Sequence, residues 1–212
     1  PIDGSVIGSA KYVGADDVER AIATAYDAQP AWNELGGDKR ADILDRLGDL
    51  IEEHRIPLFD LMIREAGKNI EACISEVPAP ADFCRYSTLQ ARKNFAEPLV
   101  LKCPTGERNE LSLHGRGVFF CIAPWNFPLA IFTGQFAAAV AAGNAVLATP
   151  AEQTPLVAAY AIRLAHEAGV PENVLHLIIG KGSVLGNQIT PDARIPGIAI
   201  TGSTGTARLI SK

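Results

Sequence analysis

No run of basic residues occurs anywhere in this sequence of 212 residues. Nineteen Lys and Arg stand against 24 Asp and Glu, a formal net charge of −5. The basic footprint of a nucleic-acid binder is therefore absent. Cysteine is sparse. Cys73, Cys84, Cys103 and Cys121 are the four present, and no two stand in C-x-x-C spacing. That excludes a zinc knuckle and a thioredoxin-type motif. Four thiols in a chain of this length do not demand disulfides, and reduced thiols in a cytosolic protein are the simpler reading. His54, His114, His166 and His176 show no H-E-x-x-H spacing, so no metal is expected. No signal-peptide pattern and no internal repeat occurs. The most apolar stretch, Phe127 to Gly143, is too short to span a bilayer and carries Thr133 and Gln135. It reads as a buried core helix, and a cytoplasmic location is expected. The first residue is Pro1 rather than Met, which implies processing or a place within something longer.

What is present is a globular composition, 48% hydrophobic and 20% charged. The first half reads as helices. Val18, Ala21, Ile22 and Ala25 recur at helical spacing after Asp16 and Asp17, which can cap a helix start. Asp38 opens a second helix with an apolar stripe at Ile43, Leu44, Leu47, Leu50 and Ile51. A third carries Leu58, Phe59, Met62 and Ile63 and stops at Gly67. A fourth starts near Ile70. Pro78 and Pro80 then predict a break or strong kink, because each removes a backbone donor and clashes with the preceding turn. Helix resumes through Phe83 and Tyr86.

The texture changes near Glu97. Leu99-Val100-Leu101 and Glu110 to His114 read as two strands around Pro104 to Glu107. From Gly117 onward apolar strands alternate with helices. Strands are expected at Val118–Ile122, Ala145–Ala148, Val174–Ile178 and Gly197–Ile200. Helices are expected to start near Pro128, Pro155, Ser183 and Thr204. This alternation predicts a parallel sheet with helices on both faces, an α/β fold.

Ligands in such sheets bind at the carboxyl ends of strands, so four strand ends matter. After the first lies Pro124-Trp125-Asn126-Phe127-Pro128. Asn126 has a side-chain amide able to donate to a developing oxyanion; the alternative is a core Trp125 and a helix-capping Asn126. After the second lies Thr149-Pro150-Ala151-Glu152, where a carboxylate can accept hydrogen bonds from ribose hydroxyls, or simply face solvent. After the third lies Gly180-Lys181-Gly182-Ser183-Val184-Leu185-Gly186, whose spacing is not G-x-G-x-x-G; a plain turn fits it as well as a phosphate loop. After the fourth lies Thr201-Gly202-Ser203-Thr204, where Ser203 can cap a helix or bind pyrophosphate. Together the four ends suit a dinucleotide.

The P-W-N-F-P block at Pro124 to Pro128 and the T-G-S-T block at Thr201 to Thr204 carry a resemblance, in the right order and spacing. So do Ala31-Trp32, the segment Arg40 to Leu47, Glu65-Ala66-Gly67-Lys68, Pro150 to Pro155, and Ala168-Gly169-Val170-Pro171. The sequence resembles the NAD(P)-dependent aldehyde dehydrogenase superfamily along essentially its whole length. More narrowly, Pro104 to Glu107, Asn109 to Leu111, Leu113 to Gly117 and Leu129 to Gln135 resemble the bacterial proline-utilisation proteins. In those, an FAD proline dehydrogenase precedes an aldehyde dehydrogenase. The latter oxidises glutamate γ-semialdehyde, the hydrolysed form of Δ1-pyrroline-5-carboxylate, to glutamate with NAD.

The resemblance implies a Rossmann-like NAD-binding domain. A helical segment is expected over residues 1–96, an oligomerisation flap over 97–116 and the nucleotide-binding core over 117–212, with a dimer-based assembly. It implies Asn126 as the oxyanion donor and Ala123, Pro124 and Trp125 lining the cofactor cleft. It places Thr149 and Glu152 at the adenosine ribose, Gly182 and Gly186 at the adenine end, and Gly202 and Ser203 at the pyrophosphate. FAD belongs only to the other enzyme of a bifunctional parent.

Three departures stand out. The family's nucleophilic Cys and general-base Glu lie beyond the T-G-S-T block, outside this sequence, so the chain alone is expected not to turn over aldehyde. Thr149 stands where the family usually has a ribose-binding Lys. Losing a charged hydrogen bond of roughly 1.5–3 kcal/mol predicts weaker cofactor binding. Pro78 and Pro80 interrupt what is a continuous helix in the family. Lys181 could sit near a 2′-phosphate, but Glu152 would repel one, which favours NAD over NADP.

Overall fold

The computed structural model describes residues 3–211. Five helices come first: α1 (Ala15–Glu34), α2 (Gly37–Glu53), α3 (Arg55–Ala66), α4 (Ile70–Glu76) and α5 (Pro78–Phe95). The apolar positions predicted for α1 and most of those for α2 are buried. Asp17 serves the start of α1 from the third helical position, its carboxylate accepting the Gly14 amide at 3.1 Å. Gly67 closes α3 at φ 68°, a left-handed position that a side chain would strain. Asn69 caps α4 by accepting the Ala72 amide at 2.8 Å.

The expected break at the prolines is one residue wide. Val77 separates α4 from α5 and keeps right-handed helical angles. Pro78 is the first residue of α5, so both prolines lie in its first turn, where backbone N–H groups lack helical partners anyway. Helix therefore resumes at Pro78 itself rather than after Pro80.

α2 and α5 pack antiparallel. Gly37 of α2 lies against the end of α5, where a Cβ would stand 2.6 Å from both Ala91 O and Ala96 N. Near the other end, Gly48 faces Ala81 and Cys84. Thr88 Oγ1 donates to Ala41 O between them.

Two short strands follow, β1 (Leu99–Leu101) and β2 (Asn109–Leu111), paired antiparallel and exposed along their whole length. The second is shorter than expected and ends at Leu111. Beyond them come β3 (Val118–Ile122), α6 (Ala130–Ala141), β4 (Ala145–Thr149), α7 (Pro155–Ala168), β5 (Leu175–Leu177), α8 (Gly182–Ile189), β6 (Gly197–Ile200) and α9 (Thr204–Ile210). β4 runs one residue further than expected, β5 is shorter, and α6 begins at Ala130 rather than near Pro128.

The sheet is parallel throughout, in the order β5-β4-β3-β6. Right-handed crossovers put α6 and α7 on one face. The return from β5 past β3 to β6 puts α8 on the other. α1 lies beside α8, with Gln188 donating to Ala15 O and Arg194 bridging Glu19. α6 is apolar almost all round because it is pressed between α5 and the sheet. One continuous cluster of buried side chains joins the helical half to the sheet.

Candidate functional site

The order in which strands are added reverses between β3 and β6, and the crevice beyond the carboxyl ends of strands at such a switch point is where ligands bind in open α/β sheets. Of the ten sequence-predicted residues, eight lie at or just past the carboxyl ends of β3, β4 and β6, and Gly182 and Gly186 lie on α8, the helix that follows β5. Ala123 is buried and Pro124 half-buried beyond β3, followed by exposed Trp125 and Asn126. Thr149 ends β4, 3% exposed. Glu152, Gly182, Gly202 and Ser203 are exposed and Gly186 half-buried.

Of the two readings of Trp125 and Asn126, the structural one fails. Trp125 is 58% exposed, not core. Asn126 does not cap α6, which starts four residues later. Among the described residues its side-chain amide makes no hydrogen bond and is free to donate outward. Glu152 Oε1 accepts the Gly182 amide at 3.1 Å, linking the loop after β4 to the start of α8. Ser203 caps α9 through the Thr206 amide at 3.1 Å.

Two carboxylates were not singled out from the sequence, and they decide which helix starts remain available. Glu76 has a fully buried side chain, and its Oε1 accepts the amides of Leu129 and Ala130 at 3.0 Å each, at the start of α6. Glu65 accepts the amides of Leu156 and Val157 at 2.7 and 2.9 Å, at the start of α7. Burial pushes the Glu65 carboxyl above the ordinary glutamate value, against the pull of those two amides. With α6 and α7 already holding internal anions, their N-termini cannot also cradle a phosphate. Of the remaining two, α8 gives its Gly182 amide to the exposed Glu152 carboxylate and α9 is capped by Ser203, so a ligand reaches either start by exchanging those bonds. Glu65 was quoted only as part of a motif, and no local pattern betrays Glu76; its partners are 53 and 54 positions away.

The glycines there carry a further signal. A Cβ at Gly182 or Gly186 would meet nothing within 4 Å, and neither residue has positive φ. Glycine weakens a helix by roughly 0.5–1 kcal/mol relative to Ala, and nothing internal to the fold requires it on α8. An open backbone surface of this kind fits a flat ligand group at close range. Thr149 Oγ1 and Gln135 Oε1, both buried, find no hydrogen-bond partner among the described residues. Gln135 Nε2 donates to Ile122 O and to Thr201 Oγ1, each at 3.1 Å, tying the ends of β3 and β6 together. A groove of about 750 Å³ between α5 and α6, walled by Phe83, Tyr86, Ile131 and Ala138, reaches Gln135 and Thr201. Sequence reasoning did not find it, because its two walls are far apart in the chain.

Neither Cys84 nor Cys121 suits nucleophilic work. Burial pushes both Cys84 and Cys121 up to about 12, so neither is a thiolate near neutrality. No cluster of three or more potential metal ligands occurs among the described residues. No helix among them is long and apolar enough to cross a membrane.

The aldehyde dehydrogenase family model matches residues 1–212. The chain belongs to the aldehyde dehydrogenase family. Within that family it is 42% identical over 207 residues to the bifunctional protein PutA of Salmonella typhimurium, covering 98% of this chain and 15% of that protein. It is 36% identical over 211 residues to the D-glyceraldehyde dehydrogenase (NADP(+)) of Thermoplasma acidophilum, covering 99% of this chain and 42% of that one. A crystal structure of bifunctional proline utilization A superposes with a TM-score of 0.94 at 42% identity, covering 97% of this chain and 21% of that chain. The aldehyde dehydrogenase match thus spans less than a quarter of the PutA proteins it resembles.

Proposed function

We propose that this chain is the cofactor-binding part of an NAD-dependent aldehyde dehydrogenase that oxidises L-glutamate γ-semialdehyde to glutamate. The free side-chain amide of Asn126, exposed just beyond β3 near the reversal point of the sheet, carries the reading. The likeness to PutA supports the choice of substrate.

Asn126 donates to the oxygen of the aldehyde as it takes on negative charge, an interaction stronger in the transition state than before it. Ala123, Pro124 and Trp125 line the cleft beside it. Glu152 accepts the ribose hydroxyls, exchanging its hydrogen bond with Gly182 for them. Gly182 and Gly186 let the adenine end lie against bare backbone. Gly202 and Ser203 serve the pyrophosphate at the start of α9. The bound NAD supplies a hydride acceptor. Glu152 disfavours a 2′-phosphate by charge repulsion, which supports NAD. The groove between α5 and α6 gives the carbon chain of the aldehyde an approach to the strand ends. The attacking thiol and the base that activates water are assigned to no residue of this chain. The exposed leucines of β1 and β2 suit a dimer contact, since a lone two-stranded ribbon is marginally stable in water. The setting is cytoplasmic.

The natural protein containing this chain is assayed with the semialdehyde and NAD by absorbance of NADH. Turnover is expected, and Asn126→Ala is expected to lower kcat by about 10²–10³-fold. No NADH from the intact protein sinks the reading. A second reading, oxidation of another aldehyde, is favoured by the likeness to the D-glyceraldehyde enzyme. Higher kcat/KM on glyceraldehyde than on the semialdehyde selects it.

A further inference from the structure

We infer that Lys68 and Glu76 are positioning residues for the proposed oxyanion donor, an inference that rests on the reading of Asn126 given above. Lys68 Nζ donates to the backbone carbonyl of Asn126 at 2.8 Å. The same ammonium stands 2.6 Å from Glu76 Oε2 and 4.5 Å from the centre of the Phe127 ring. It therefore touches the backbone carbonyl of Asn126 and the side chain of the residue that follows. Glu76 is the fixed end of the arrangement. Its other oxygen holds the amides of Leu129 and Ala130, so one carboxylate ties the start of α6 to the ammonium that restrains the loop before it.

Burial makes this a demanding arrangement. The side chain of Glu76 is 0% exposed and that of Lys68 is 12% exposed. Removing a charge pair from water costs several kcal/mol per ion unless geometry and hydrogen bonds offset it. A surface loop needing only stability has cheaper solutions. What the pair provides is a fixed orientation for the Asn126 peptide between α4 and α6. The side chain of Asn126 has no internal partner among the described residues, so only its backbone fixes the point from which the amide projects. Misplacement of a reacting group by about 1 Å can lower a rate by as much as 10²-fold.

Two substitutions in the natural full-length protein test this. Glu76→Gln keeps the oxygen that accepts both α6 amides and turns an amide N–H₂ toward Lys68. Lys68→Met keeps the aliphatic stem and removes the ammonium. Each is expected to lower kcat at least tenfold while KM for NAD stays unchanged. Without substrate or cofactor, amide hydrogen exchange over residues 123–130 is expected to accelerate in both variants. In an Asn126→Ala background, Lys68→Met is expected to lower kcat no further, because its effect passes through Asn126. Losses that add in the double variant overturn the positioning role, as does unchanged exchange with unchanged kcat. If Asn126→Ala alone keeps full kcat, the oxyanion reading has failed, and the proposal falls with it for a separately recognisable reason.

Discussion

Arg40 Nε donates to the backbone carbonyl of Ala141 at 3.0 Å, closing the end of α6 with a cation from α2. Its Nη1 also donates to the carbonyls of Trp32 and Asn33 at the end of α1. The residue is 1% exposed and forms no ion pair with a carboxylate among the described residues. Burial lowers the guanidinium below its ordinary value. Its counter-charge is the negative end of two helix dipoles.

Replacing Arg40 should therefore be costly. Arg40→Met leaves three carbonyls short of a donor, a loss of roughly 3 kcal/mol or more. Arg40→Lys should recover little, because one ammonium cannot reproduce the fork that spans both helix ends. Thermal unfolding midpoints check both, and a midpoint unchanged in Arg40→Met contradicts the account.

Glu65 gives a pH dependence of definite sign. Its folded value lies above the ordinary 4.5, so between those two values the folded state holds the proton more often than the unfolded state. Its contribution to stability is full below 4.5 and declines as pH rises through the raised value. Glu65→Gln removes this titration. The urea midpoint of the natural protein should fall relative to the variant across that window. A difference that does not change with pH contradicts the assignment.

The thiols divide sharply. Cys73, Cys84 and Cys121 are buried, and Cys103 is partly exposed beside β2. Peptide mapping after brief alkylation of the native protein should find Cys103 modified and the other three modified only after unfolding. Rapid native labelling of Cys121 would show that β3 is less closed than its place in the sheet requires.

Thr149 ends β4 with a buried hydroxyl that has no partner among the described residues. Thr149→Lys offers the cofactor a charged donor in its place. NAD affinity, measured by calorimetric titration, should tighten about tenfold, the equivalent of roughly 1.4 kcal/mol. Unchanged affinity removes Thr149 from the cofactor site.

Much of the architecture was legible in order. Val18, Ala21, Ile22 and Ala25 announce α1 by spacing alone, and Gly67 marks the end of α3 because few other residues tolerate its φ. Alternation after Gly117 gives a parallel sheet, since each apolar strand needs a crossover before the next. Errors fell at element ends. α6 starts at Ala130 because Glu76 holds the amides of Leu129 and Ala130, and no local pattern around Pro128 contains that fact.

The candidate site divides in the same way. By itself the sequence determined the elements, the loops that follow each strand, and the residue types those loops offer, because periodicity, turn chemistry and motif spacing are local. Only the tertiary structure decided that Trp125 faces solvent and that Asn126 has a free amide. It also decided that Glu65 and Glu76 occupy the starts of α7 and α6. Those outcomes depend on charges and amides brought together across 53 to 92 positions of chain. Such contacts form only when burial makes an unpaired amide or carboxylate too costly to leave, a condition the folded core imposes and a linear pattern does not contain.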